Sequence, residues 1–202
     1  MERAVIAIGV EKTGGLPKLQ AAAKSAKAFA DWAKKHQRIQ RVRLITDEKS
    51  PVTRDRLFKA VRTITELGFI EQLIVYFSGH GINLGQGERW LLSGAPDDPA
   101  AAVDVRGSEL NARFCGIGHV IFVSDACRTA ADSIQALNVT GSVIFPNATP
   151  SGPERPVDQF YATLVGHPAF EVKSVNDSVA AFRAAYSDVL LAALRGDVPE
   201  LV

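Results

Sequence analysis

A chain of 202 residues, 47% hydrophobic and 22% charged, has an ordinary globular composition and can bury roughly 70% of its unfolded surface in one core, so a single domain over residues 1–202 is expected. The net charge of +1 and pI near 7.8, with neither Lys nor Arg gathered in a block, give no electrostatic footprint for nucleic acid or an anionic membrane. Two cysteines, Cys115 and Cys127, make no disulfide framework in a chain this long, and with four scattered histidines they lack zinc spacing, which argues against a disulfide scaffold and a metal centre alike.

The amino terminus, Met1-Glu2-Arg3, leads into a short apolar run from Ala4 to Val10 that Glu11 and Lys12 close. This lacks the longer apolar stretch and small-residue cleavage site of a signal peptide. No segment reaches the roughly 20 apolar residues of a membrane span. The expectation is a cytoplasmic protein in a reducing setting.

Residues 3 to 10 are β-branched and continuously apolar, the pattern of a strand buried on both faces of a parallel sheet. From Pro17 to His36 small and apolar residues recur at three- and four-residue steps, predicting a helix with Pro17 in its first turn. Arg41 to Thr46 reads as a second strand, Thr53 opens a helix ending near Gly68, and Ile70 to Phe77 is a third strand. Strands alternating with helices of this length imply parallel βαβ units with right-handed crossovers.

Gly85, Gly87, Gly94, Pro96 and Pro99 break the stretch after Gly81, leaving loop and one short strand from Arg89 to Ser93 in a small hairpin. Residues 104 to 114 form a modest helix carrying Val105, Leu110 and Phe114, and His119 to Ser124 is a fourth long strand. A short helix (Ala130 to Leu137), a strand from Ser142 to Phe145 and an exposed loop from Pro146 to Pro156 follow. An amphipathic helix from Val175 to Gly196 ends before Pro199. The fold class expected is α/β, a three-layer sandwich with a mostly parallel sheet of about six strands and helices on both faces.

Chemistry concentrates in two stretches, Tyr76-Phe77-Ser78-Gly79-His80-Gly81 and Ser124-Asp125-Ala126-Cys127-Arg128, each where a strand-like run gives out. Groups beyond the carboxyl ends of parallel strands are placed for ligand contact, and a thiol with a nearby imidazole is a nucleophile and base pair. A tight turn around a structural His80, and an inert buried Cys127, are the plain alternatives; the pairing of the two motifs argues against both. His36, His119, His167 and Cys115 have no such motif around them and read as structural or exposed. There is no Gly-x-Ser-x-Gly, no Walker loop and no dinucleotide fingerprint.

His80 precedes Cys127 by 47 residues, and Asp-Ala-Cys-Arg is close to the Gln-Ala-Cys-Arg-Gly signature with its His about 50 residues upstream. The chain here resembles the caspase-like cysteine peptidases, and more closely their metacaspase, orthocaspase and bacterial CHAT branches, which carry Ser-Gly-His-Gly and Asp-(Ala/Ser)-Cys. The resemblance implies a caspase-like fold and a cysteine endopeptidase without cofactor or metal, acting on a protein or peptide substrate through the dyad His80 and Cys127, in regulatory or defence-related limited proteolysis. It implies an oxyanion hole from the amides of Gly81 and Cys127, and an acidic specificity pocket at Asp125 that prefers Arg or Lys before the scissile bond. The alternative for Asp125 is a cap on its own turn. Metacaspases usually carry a second pocket acid in an Asn-Asp-Ala segment of the first helix, where this chain reads Lys24-Ser25-Ala26.

The resemblance also implies that the segment from Phe160 to Val172 borders the substrate cleft, and it leaves open an activating protein partner or a homodimer. Asp97, Asp98 and Asp104 are the acidic residues closest to a calcium cluster, yet no long acidic loop accompanies them, so no calcium requirement is expected. Self-processing after Arg155 is not expected either, because Pro156 follows it. A catalytically silent interaction module or adaptor with the same fold is the alternative function.

Overall fold

The apolar runs that alternate with amphipathic segments fold as parallel βα units. The structure is a computed structural model, and it describes residues 2–85, 87–131, 133–147, 152–167, 169, 171–173 and 182–197. In chain order the elements are β1 (Glu2–Gly9), α1 (Ala22–Lys35), β2 (Arg41–Thr46), α2 (Arg54–Thr65), β3 (Ile70–Gly79), β4 (Gly81–Asn83), β5 (Glu88–Leu91), β6 (Ala102–Asp104), α3 (Val105–Ala112), β7 (His119–Ala126), α4 (Ile134–Leu137), β8 (Val157–Tyr161), β9 (Glu171–Lys173), β10 (Phe182–Ala184) and α5 (Ala185–Arg195).

Five strands form one sheet in the order β2-β1-β3-β7-β8, and every neighbouring pair is parallel. Successive side chains of a strand point to opposite faces, and β1 divides accordingly. Ala4, Ile6 and Ile8 pack with Leu57, Val61 and Ile64 of α2 and with Val105 and Ala112 of α3. Val5 and Ala7 pack on the other face with Ala26, Phe29, Ala30 and Ala33 of α1 and Leu191 of α5. Helices therefore cover both faces of the sheet. β4, β5 and β6 form a separate antiparallel sheet, so the hairpin expected after His80 is a three-stranded unit.

Several elements depart from the sequence reading. The central sheet has five strands rather than about six. Helix α1 begins at Ala22, five residues after Pro17, because the segment before it is held as a loop by the Leu19 amide on the Glu11 carbonyl. Ser142 to Phe145 is no strand: Ser142 makes an isolated bridge to Val103, the Ile144 amide bonds the Ser108 hydroxyl, and Ile144 and Phe145 are buried as core filling. The fifth strand is instead β8, a half-buried edge strand. In the region read as one long final helix, Phe182–Ala184 pairs with β9 as an antiparallel strand before α5 starts; residues 174–181 and Pro199 lie outside the described residues. Gly196 adopts the left-handed conformation, φ 78°, that closes α5.

Helix α3 buries Val105, Ser108 and Ala112, while Leu110 is 53% exposed. Leu57 of α2 is fully buried. Leu57→Ala should therefore cost about 2 to 5 kcal/mol in urea unfolding, as for a buried leucine that leaves a cavity. Leu110→Ala should stay within about 0.5 kcal/mol of the parent.

Candidate active site

The strand register brings the two motifs together. Gly79 is the partner of Ala126 across the β3–β7 pair, so His80 and Cys127 follow directly from paired residues on strands spaced roughly 4.8 Å apart. Beyond the strand ends the two chains continue side by side: the Asn83 amide donates to the Thr129 carbonyl at 2.8 Å, and Asn83 bridges Ala130. A side chain at Gly81 would bring its Cβ to 2.6 Å from the Cys127 carbonyl oxygen and 2.9 Å from the Ala126 Cβ. Only glycine permits this approach.

His80 is partly exposed, and its Nε2 lies 2.8 Å from the carbonyl oxygen of Pro17. A carbonyl can only accept, so Nε2 is the donor in this contact, and in the neutral ring the lone pair then belongs to Nδ1. The late start of α1 matters here. Inside a helix the Pro17 carbonyl would accept an amide four residues on; in the loop it is free to orient the imidazole.

The Cys127 sulfur receives the amide N–H of Ala169 at 3.3 Å and lies 3.7 Å from that residue's carbonyl. The same strap holds the next residue: the Arg128 amide donates to the His167 carbonyl at 3.1 Å, and the Gly166 amide donates to the Arg128 carbonyl at 2.9 Å. His80 and Cys127 thus each bond elsewhere and not to one another. Catalytic hydrogen bonds are often long or misaligned until substrate is bound.

Asp125 is paired with Ser78 across β3–β7 and is 6% exposed. Its Oδ2 accepts the Ser187 hydroxyl of α5, and Ser187 also bonds the Tyr76 hydroxyl. Burial first, and then the neighbouring Asp125 carboxylate, push the Tyr76 phenol far up, against the opposing hydroxyls of Ser187, Ser78 and Ser25. Burial and Asp125 likewise push Tyr186 up to about 12. Asp125 is thus buried beside the Ser187 hydroxyl, and Ser187, Ser78 and Ser25 gather around the neighbouring Tyr76 phenol.

On the opposite face of the same strand end, Ser124 donates to Glu88, which is 3% exposed, and the Trp90 indole N–H reaches Glu88 Oε1 at 2.8 Å and Ser124 Oγ at 2.9 Å. Sequence reasoning missed Glu88, Ser187, Tyr76, the Pro17 carbonyl and the Ala169 amide. The remaining candidates lie apart. His36 caps the end of α1, His119 pairs with Asp158 at 2.9 Å, and the exposed His167 contributes only its backbone. Asp104 is committed to Arg89 at 2.8 Å and to the Gly107 amide at the start of α3.

No protein-family profile and no curated protein matches the chain. Solved structures that resemble it include protein GSU0716 from Geobacter sulfurreducens, with 21% identity and a TM-score of 0.50 over 65% of this chain and 52% of that one. The matched region is thus about half of that neighbour's length, and the likeness concerns the α/β fold alone. No helix among the described residues is long and apolar enough to cross a membrane.

Cys115 is packed against the core, and burial pushes its thiol up. At neutral pH iodoacetamide should accordingly modify Cys127 before Cys115, as read by peptide mass spectrometry. Alkylation of Cys115 should set in only above the pH at which a free thiol reacts, since less of it is thiolate at any given pH. Cys115→Ala should cost on the order of 1 kcal/mol of stability.

Proposed function

We propose that the chain is a caspase-like cysteine endopeptidase with His80 as base and Cys127 as nucleophile. The observation that carries this reading is the placement of the imidazole at the strand end next to Cys127, with Nε2 2.8 Å from the Pro17 carbonyl, which leaves Nδ1 as the nitrogen able to act as base. An unperturbed thiol, with a pKa near 8.5, is only a few per cent thiolate at pH 7, so a nucleophilic cysteine needs such a base. In the proposed reaction Nδ1 takes the thiol proton and the sulfur attacks the scissile carbonyl carbon. The amides of Gly81 and Cys127 stabilise the oxyanion. The imidazolium then protonates the leaving amine, and water, deprotonated by the same imidazole, hydrolyses the thioester.

Asp125 is the proposed specificity acid. A carboxylate in a desolvated hydroxyl pocket favours a guanidinium or ammonium and repels an acidic side chain. The substrate cation would join or displace the Ser187 hydroxyl that Oδ2 now accepts. One set of observations favours the second reading, a silent interaction module. His80, Cys127 and Asp125 each bond a group of their own chain, Pro17, Ala169 and Ser187. Reactivity separates the two, since a silent scaffold has no use for a thiol faster than free cysteine.

Fluorogenic peptides differing only at the residue before the scissile bond should be cleaved after Arg first and Lys second, with no cleavage after Asp. Cys127→Ala and His80→Ala should each abolish turnover with the fold retained. Asp125→Ala should lose most of the Arg preference, about 2 to 5 kcal/mol by analogy with unpaired interface charges. Turnover near the parent rate in either dyad variant would refute the peptidase reading. Parent cleavage after Asp would refute the pocket alone.

A further inference from the structure

The residue after the nucleophile is held unusually firmly for a surface-loop position. The Arg128 guanidinium lies 3.8 Å over the Tyr161 ring, its Nη1 reaches the Thr163 carbonyl at 3.4 Å, and its Nε lies 3.3 Å from Glu88 Oε2. Glu88 is buried, with 1% of its side chain exposed, and Arg128 is half-buried at 15%, but the facing atoms Nε and Oε2 are both out of solvent contact. The Nε–Oε2 contact is an ion pair without hydrogen-bond alignment, and neither atom has another hydrogen-bond partner among the described residues. Glu88 Oε1 is meanwhile occupied by Ser124 and Trp90.

Glu88 also belongs to the other half of the site. It stands on β5, whose Trp90 pairs with Gly81 and whose Leu91 amide donates to the His80 carbonyl at 2.9 Å. One buried carboxylate therefore ties the backbone that carries His80 to the side chain that follows Cys127. We propose that Glu88 and Arg128 are positioning residues, a buried ion pair that fixes Cys127 against the His80 segment. The inference deepens the peptidase reading and rests on it for turnover, though not for thiol reactivity.

Breaking one partner of a buried pair leaves the other charge uncompensated, whereas removing both does not. That difference separates positioning from plain stability. In the purified full chain, Glu88→Gln should lower kcat roughly 10- to 100-fold, the loss expected of a small misplacement of a reacting group, with KM little changed and Tm lowered. The double variant Glu88→Gln with Arg128→Gln should recover Tm and leave kcat at the single-variant level. Recovery of kcat together with Tm would reduce the pair to a structural role and overturn the proposal, as would parent-like kcat in Glu88→Gln.

Should Glu88→Gln fail to fold, Arg128→Lys keeps the charge and gives up the planar stack on Tyr161; it should lose turnover at near-parent Tm, and parent-like turnover would overturn the proposal. The rate of Cys127 alkylation by iodoacetamide is measured across the same variants. If the parent cleaves no peptide the peptidase reading fails, but a changed alkylation rate in the variants still supports positioning, and an unchanged rate overturns it.

Discussion

The pairing of Gly79 with Ala126 across β3 and β7 is the constraint on which the site depends. It sets His80 and Cys127 level at the carboxyl edge, and the pleat of β7 decides what lies beneath them. Ser124 points to the α2 and α3 side and Asp125 to the α1 and α5 side. Each heads a separate buried polar cluster, Ser124 with Glu88 and Trp90, Asp125 with Ser187 and Tyr76. A slip of one residue would exchange the two faces, so the apolar pattern of β1, β3 and β7 that fixes register for the core also fixes it for the chemistry.

Buried polar groups are costly unless every one is partnered, and a partly satisfied network is worse than an apolar core. The Asp125 cluster meets that cost by pooling hydroxyls: Ser187 serves Asp125 and Tyr76, and Ser78 and Ser25 act on the same phenol. On the other face burial pushes the Glu88 carboxyl up, while Ser124, Trp90 and Arg128 oppose that push. The stack of Trp90 on Phe77, 4.7 Å between centroids, holds the indole where its N–H can donate. Core packing and polar satisfaction are thus one arrangement at this edge of the sheet.

The parallel strands β1, β3 and β7 were legible because each carries a β-branched apolar run that gives way to glycine or polar residues, β2 because Val42, Leu44 and Ile45 stand among charges in a short β-branched stretch, and α2 because Thr53 caps it. The two motif stretches were legible for the same reason: polar and glycine residues follow directly on apolar runs. What escaped had no such contrast. β8 is an edge strand exposed at alternate residues, and its Val-Asp-Gln-Phe-Tyr reads equally well as loop. The Pro17 carbonyl and the Ala169 amide are backbone groups, and every residue type offers those. Glu88 in a short strand looks solvent-facing until the fold folds β5 over Ser124, and Ser187 looked like an ordinary polar position of a helix.

Ser187 and the Ala169 amide belong to a set of groups around the thiol that share a position late in the chain. Tyr161, Thr163, Gly166, His167, Ala169 and Ser187 all follow the irregular stretch after Phe145, yet between them they contact Asp125, Cys127 and Arg128. The core of β1, β2, β3 and β7 with α1 to α3 can be assembled from residues before that stretch, whereas the surroundings of the thiol cannot. Closing the long connection costs loop entropy that only the later contacts repay, and the contacts named here are largely polar. The thiol of Cys127 is therefore presented by the central sheet but surrounded by groups from after Phe145, so its environment is complete only once the later segment has docked on the earlier core.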